Sequence, residues 1–329
     1  MQKKTSSAMM QTLLHSLHTS NHNLHVIVFT DDQILHSPVT TWPIVDSLVA
    51  FYSSGFPVDK AIDYVRLRRP FVVNDLAMQK CLLDRRKVYQ VLREAGVGVL
   101  RSVAVDRSKG DWVEQNEGGD GDVLSVYINC GGSNNQGCGS VGGDDDNGCG
   151  DQYKVVRIQK PFVEKPIDAG DHNVYVYFRG GGVRKLFRKT KVLSSVLDGS
   201  RRHVRTGGSY IYEPYYEPRG KCDVKAYGVG GDLFYAETRK APTVDGIVER
   251  GPNGREVRKR TELTEMERNM CAKVARAFRF FEIGFDLLRV GDRTFVIDVN
   301  GWSLSKNSTE FAMICGARLA KHIVRNVRW

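Results

Sequence analysis

Two acids and an amide near the C-terminal end have the residue types and spacing for chemistry. Asp286 sits in Gly284-Phe285-Asp286-Leu287-Leu288-Arg289-Val290; Asp298 and Asn300 sit in Thr294-Phe295-Val296-Ile297-Asp298-Val299-Asn300-Gly301. Both runs are strand-like, and Gly291-Asp292-Arg293 between them is a hairpin signal. With the turn centred on Asp292, Val290 faces Thr294 and Asp286 faces Asp298. Strand side chains alternate between faces, so Asp286, Asp298 and Asn300 share one. Opposed carboxylates repel. A divalent cation between them removes that penalty, and hard oxygen donors suit Mg²⁺. The same residues also fit a solvated sheet face carrying two unrelated acids.

Cations recur beside other strand-like segments. Lys165 lies in Glu164-Lys165-Pro166, and His172 comes after it in Asp171-His172-Asn173. Arg188 and Lys189 close Leu186-Phe187-Arg188-Lys189, Asp223 and Lys225 share a strand face, and Arg239 and Lys240 lie beyond another strand. Any one of these is ordinarily a solvated cation. Concentrated around a Mg²⁺ site, they describe a polyphosphate pocket. No G-x-x-x-x-G-K-[ST] loop is present, which excludes a P-loop enzyme. No H-R-D loop or D-F-G is present, which excludes a protein kinase.

These residues need a scaffold, and periodicity outlines one. Residues 24–29 read as a buried strand, preceded by helically spaced Met9, Met10, Leu13, Leu14 and Leu17. Residues 42–52 read as a helix and Phe71-Val72-Val73 as a short strand. Asp84 caps a helix carrying Val88, Val91, Leu92 and Ala95, which Gly96 stops. Strands are expected over 97–105, 153–158, 162–164, 173–178, 184–188, 209–212 and 223–229. Thr264-x-x-Glu267 is a capping box that opens a helix to about Phe281, with Met266, Met270, Val274, Ala277 and Phe281 as its buried stripe. The class is α/β.

The chain has 329 residues, 41% of them apolar, which suits two or three globular domains and excludes a largely disordered chain. No run of about 18 apolar residues offers a membrane span. Met1-Gln2-Lys3-Lys4 starts like a signal peptide, but Gln11, His15 and His18 interrupt the apolar stretch that a signal peptide needs next. Seven scattered cysteines without a C-x-x-C pair indicate a reduced, cytoplasmic protein. The formal charge is +10, yet residues 118–152 hold six Asp, no Lys or Arg, and eleven of the 33 glycines. That stretch reads as a flexible surface insertion, and Cys130, Cys138 and Cys149 within it match no zinc pattern. The remainder is strongly basic, which implies an anionic partner. No nucleic-acid-binding module is recognisable.

The chain resembles the ATP-grasp kinase domain of the diphosphoinositol-pentakisphosphate kinases. The resemblance is carried by Lys3-Lys4, Arg69-Pro70-Phe71-Val72-Val73-Asn74-Asp75-Leu76, Asp84-Arg85-Arg86-Lys87-Val88-Tyr89 and Lys160-Pro161-Phe162-Val163-Glu164-Lys165-Pro166. It continues through Asp171-His172-Asn173-Val174-Tyr175, Leu186-Phe187-Arg188-Lys189, Ser209-Tyr210-Ile211-Tyr212-Glu213 and Asp223-Val224-Lys225, and ends on the Asp286 and Asp298 segments.

The resemblance implies an N-terminal α/β domain (1–95), a central ATP-grasp subdomain (96–216, with the 118–152 insertion) and a C-terminal subdomain (217–329). It places ATP between the last two. It implies phosphorylation of inositol hexakisphosphate, or of 5-diphosphoinositol pentakisphosphate, at the 1-position. It assigns Arg85, Lys165, His172, Arg188 and Lys225 to ATP, Glu213, Pro214, Tyr215 and Tyr216 to the adenine-side linker, and Asp223 to the ribose. Asp286, Asp298 and Asn300 would hold Mg²⁺. Lys3, Lys4, Arg188, Lys189, Lys225, Arg239, Ser303 and Lys306 would grip inositol phosphates, with Arg188, Lys225 and Asp298 closest to the chemistry. Two positions depart from the family pattern. Pro214 stands where a second acid is usual and cannot donate a backbone hydrogen bond, and Ala241 stands where a serine is expected. The alternatives are an ATP-grasp carboxylate ligase and a non-catalytic inositol phosphate sensor.

Overall fold

A computed structural model describes residues 2–20, 22–115, 122–130 and 153–327, without the side chains of residues 2 and 3. The chain forms two compact units. One holds residues 1–99, 222–239 and 257–329; the other holds 100–221 and 240–256.

The first unit is built on a five-stranded sheet in the order Lys259–Arg260, Leu233–Lys240, Cys222–Val229, Glu282–Val290, Arg293–Asn300. Helices Ala8–His18 and Thr309–Asn326 share its core. Met10, Leu13 and Leu17 pack with Phe311, Cys315 and Leu319 and with Tyr227 and Val229 of the sheet. The two helices approach so closely that a Cβ on Gly316 would stand 2.4 Å from the Leu13 carbonyl oxygen, which reserves that position for glycine. Most of 1–95 and 217–329, expected as separate domains, therefore lie in one unit, which holds a second cluster of Trp42, Leu48, Ala61 and Tyr64 besides the core shared by the two helices and the sheet.

Helix Glu265–Ala277 opens with the expected capping box: Thr264 accepts from the Glu267 N–H, and Glu267 accepts from the Thr264 N–H. Its buried face differs from the expected stripe. Glu267, Cys271, Val274 and Ala275 face inward, and Met266 is exposed. The helix turns Glu267 inward because Arg289 of the sheet meets it with two 2.7 Å contacts.

Two other expectations fail locally. Residues 24–29 form no strand, and Val26, Ile27 and Val28 are exposed. Residues 42–52 are not helical. Pro43, which has no N–H to give a helix, comes just after a short 3-10 turn at Val39–Thr41, and Ser47–Leu48 then pairs in parallel with Phe71–Val72.

The second unit contains a six-stranded antiparallel sheet in the order Ser195–Asp198, Val183–Leu186, Val174–Tyr177, Phe162–Pro166, Tyr210–Pro214, Val103–Val105. A three-stranded sheet of Trp112–Gln115, Val123–Asn129 and Tyr153–Gln159 shares its core. Val123–Asn129 falls inside the stretch expected to be a flexible insertion. Its Val-Leu-Ser-Val-Tyr-Ile composition is that of a strand, and Leu124 and Val126 are fully buried. Most of the remaining insertion, including Cys138 and Cys149, lies outside the described residues.

Candidate functional site

Sheet register brings the acids of the first unit together. Lys225 is the register partner of Asp286, and Asp286 is the partner of Asp298. The three stand in one row across adjacent strands. Asn300, opposite Gly284, extends the row on the same face. The turn differs from the expected one. Gly291 and Asp292 form a two-residue connection, with Gly291 at φ +52°, so Val290 faces Arg293 rather than Thr294. The register then shifts by one between Leu287 and Asp286, skipping Ile297 as a β-bulge.

The row is electrostatically asymmetric. The Lys225 ammonium stands 3.1 Å from Asp286 Oδ1, an ion-pair distance. Arg239 Nη2 lies 3.7 Å from the same oxygen, and Arg239 Nε lies 3.8 Å from Asp223 Oδ2. Burial works to raise the pKa of Asp286. The charges of Lys225, Arg239 and Arg258 outweigh it and hold the carboxyl below its ordinary value. Asn300 Nδ2 donates to Asp298 Oδ2 at 3.0 Å, which leaves the amide oxygen to face a ligand.

These donors fit a divalent cation: two facing carboxylates and one amide oxygen. Among the described residues no set of three or more His, Cys, Asp or Glu is grouped to hold a metal. An ion here would depend on Asn300 and on ligand or water oxygens to complete its shell.

The loop after Asn300 frames the row. Ser303 presses on the strand so closely that a Cβ on Gly284 would stand 2.7 Å from Ser303 Cβ. Trp302 stacks on Phe51 at 5.5 Å, and Lys4 lies over Phe51 at 5.3 Å while donating to the Tyr52 carbonyl at 3.3 Å. Lys4 is thus joined through Phe51 to Trp302, the chain neighbour of Ser303. The Lys3 side chain lies outside the described residues. Lys306 is exposed. Arg85 begins a helix that Asp84 caps by accepting from the Arg86 N–H. Leu82, just before it, lies within 3.6 Å of where a Gly301 Cβ would be.

In the second unit, Lys165 pairs with Glu213 across neighbouring strands, and Lys189 pairs with Glu256. His172 and Arg188 are exposed. At the strand end, Pro214 has no N–H and the Tyr215 N–H donates to the Pro161 carbonyl at 2.9 Å. Tyr216 is exposed. Ala241 is buried, with its N–H on the Lys221 carbonyl. Glu164, also fully buried, accepts from Tyr177, Tyr212 and Arg205, which fixes the strand that carries Lys165.

Residues 1–84 match the family described as diphosphoinositol pentakisphosphate kinase 2 N-terminal domain, and residues 174–327 match the RimK-like ATP-grasp domain. The chain is 42% identical to the Saccharomyces cerevisiae inositol hexakisphosphate and diphosphoinositol-pentakisphosphate kinase over 318 residues, covering 96% of this chain and 27% of that protein. It is 39% identical to the human kinase 2 of the same name over 330 residues, covering 99% of this chain and 24% of that protein. The chain belongs to the diphosphoinositol-pentakisphosphate kinase family. It spans about a quarter of the length of these relatives. The ATP-grasp ligase PsnB, solved with a phosphomimetic variant of its minimal precursor, Mg and ADP, superposes with a TM-score of 0.53. That superposition has 13% identity and covers 98% of this chain and 96% of PsnB. The fold of this family member is therefore α/β ATP-grasp.

Sequence reasoning missed several charged residues packed close to this row in the family member. Arg258 donates to the Tyr227 hydroxyl at 2.9 Å and lies 3.3 Å from Glu237. Glu237 and Glu282 are both 1% exposed. A signal existed for both acids. Glu237 shares strand parity with Arg239, and Glu282 shares it with Asp286. Arg258 lies outside the named strands and helices, so parity could not mark it.

Proposed function

We propose that this chain is an ATP-dependent kinase that transfers the γ-phosphoryl group of ATP to a phosphate of inositol hexakisphosphate or 5-diphosphoinositol pentakisphosphate, at the 1-position. The observation that carries the reading is the row of Lys225, Asp286, Asp298 and Asn300 with Arg239 beside it. It joins a divalent-cation platform to fixed positive charge. The names of the relatives agree with this reading.

The chemistry suits the residues. Six phosphates carry roughly −9 to −12 near neutral pH. The acceptor is a phosphate oxygen that is already largely deprotonated, so a strong general base is unnecessary. Catalysis reduces to holding two anions in line while cations offset their repulsion. Mg²⁺ bound by Asp286, Asp298 and Asn300 would supply charge neutralisation on the ATP phosphates. Lys225 and Arg239 are already oriented by Asp286 and Asp223, so they present charge with little further ordering. Arg85, Lys165, His172 and Arg188 are assigned to the ATP phosphates, Glu213 to Tyr216 to the adenine, and Asp223 to the ribose. Lys4, Lys189, Ser303 and Lys306 are assigned to the inositol phosphate. Asp286, Asp223, Glu213 and Glu256 hold Lys225, Arg239, Lys165 and Lys189 before any ligand arrives.

Among the described residues no helix is long and apolar enough to cross a membrane. Cys81, Cys130, Cys222, Cys271 and Cys315 are free thiols, which supports a cytoplasmic setting. The test offers the protein Mg²⁺ and ATP with either inositol hexakisphosphate or a panel of amino acids and peptides. Transfer of the γ-phosphoryl group to a phosphate oxygen of the inositol, with release of ADP, is expected. ADP release that depends on a carboxylate and an amine would identify a ligase instead.

A further inference from the structure

Glu282 lies four residues before Asp286 on the same strand and, by alternation, on the same face. It is 1% exposed. Its Oε2 accepts from the Ser303 N–H at 2.6 Å, and its Oε1 has no hydrogen-bond partner among the described residues. A buried carboxyl with one unpartnered oxygen is unfavourable where an apolar side chain would serve. The Ser303 contact accounts for its presence.

The backbone of Glu282 is itself clamped. Asn74, 1% exposed, donates from Nδ2 to the Glu282 carbonyl at 2.7 Å, and its Oδ1 accepts from the N–H groups of Phe281 and Glu282 at 2.8 and 3.1 Å. On the other side of the loop, Ser305 Oγ donates to Glu237 Oε1 at 3.1 Å and accepts from the Asn307 N–H at 3.2 Å. Residues 303 and 305 are therefore pinned to two different strands by two buried carboxyl groups. Ser303 is one of those pins and Lys306 follows the other, and both are assigned to the substrate. Burial pushes the Glu282 carboxyl well above the ordinary carboxylate range, and the Ser303 N–H and the Lys225 charge offset this only in part.

We propose that Glu282 is a positioning residue for the inositol phosphate: it fixes the Ser303 backbone so that the 301–307 loop presents Ser303 and Lys306 to the substrate phosphates. The identity of the ligand rests on the kinase reading; the loop contact does not.

Three variants of the full chain test it: Glu282→Gln keeps an acceptor of the same reach, Glu282→Leu removes it, and Glu282→Asp withdraws it by one methylene. Amide hydrogen exchange over residues 301–307 is measured without ligand. Inositol hexakisphosphate affinity is measured by calorimetry, and KM is measured for both substrates. In the Leu and Asp variants, Ser303 exchange and the Kd and KM for inositol hexakisphosphate are expected to rise about tenfold. The KM for ATP should stay within about twofold, and Gln should restore both readouts. Wild-type exchange and affinity in the Asp variant overturn the proposal, as does a Gln variant as impaired as Leu. If Leu fails to fold, the Gln–Asp comparison still decides. If the variants show the expected exchange pattern but the wild type neither binds nor phosphorylates inositol hexakisphosphate, the kinase reading is overturned and the loop contact stands.

Discussion

Asp286 faces Asp298 because Ile297 is skipped in the pairing of their strands. From the turn as far as Leu287 and Val296 the register would set Asp286 against Ile297 and Asp298 against Phe285, which is fully buried. Asp298 would then point to the core side. The one-residue bulge returns it to the face of Asp286. A local irregularity in the backbone thus creates the paired carboxylates, and Lys225 on the adjacent strand offsets part of their repulsion.

Lys225 and Asp286 form a largely buried pair, so removing one charge should strand the other. Lys225→Met is expected to destabilise the protein by about 3 kcal/mol. Combining it with Asp286→Asn should recover about half of the loss. Urea unfolding of the single and double variants gives the coupling directly; simple additivity would remove the pair from the account.

Glu267 joins a helix cap to both strands of the hairpin, meeting Arg289 twice at 2.7 Å and Thr294 at 2.8 Å. Glu267→Gln should cost about 3 kcal/mol at neutral pH. Burial acts to raise its pKa, but Arg289, the Thr264 N–H and Thr294 hold it below the ordinary value of 4.5. A depressed carboxyl stabilises the fold above its unfolded pKa, and that contribution fades as pH falls through the folded value. The gap between wild type and variant should close in acid, which thermal melts across pH can follow.

Glu282 should behave with the opposite sign. Its folded pKa lies above the ordinary 4.5, so the folded state holds its proton longer than the unfolded chain does. Its contribution is intact below about pH 4.5 and is lost as pH rises through the folded value. Glu282→Gln should therefore match wild type in acid and become the more stable of the two as pH rises. A Gln variant whose relative stability is flat with pH would contradict a shifted carboxyl.

Lys4 lies over Phe51, which stacks on Trp302, the chain neighbour of Ser303, a residue proposed for the substrate. Lys4→Ala should raise the KM for inositol hexakisphosphate about fivefold, since a charged hydrogen bond is worth about 1.5–3 kcal/mol and this one is partly solvated. The KM for ATP should be unaffected. Equal changes in both constants would place Lys4 outside the substrate site.

Periodicity and parity made part of this fold legible in the sequence. The capping box at Thr264, the alternation through Asp223 and Lys225, and the shared face of Asp298 and Asn300 are short-range patterns. The facing of Asp286 and Asp298 was expected from a turn centred on Asp292. It arises instead from a two-residue turn and a bulge, two offsets that cancel. The features that were not legible depend on distant packing. Arg289 rotates the Glu265–Ala277 helix away from its apolar stripe, and Asn74 and Glu282 meet across more than two hundred residues of sequence. Residues 24–29 have a strand's composition but form no strand, since a strand requires a partner as well as a pattern.

The central claim is phosphoryl transfer that depends on the facing carboxylates. The direct measurement incubates the protein with Mg²⁺, γ-labelled ATP and either inositol hexakisphosphate or 5-diphosphoinositol pentakisphosphate, and resolves the products beside those of Asp298→Asn. The account predicts label in a diphosphate at the 1-position with the wild type, almost none with the variant, and near-equal inositol phosphate binding by both. Label transfer by Asp298→Asn at the wild-type rate, or tight inositol phosphate binding by a wild type that leaves ATP intact, would contradict it.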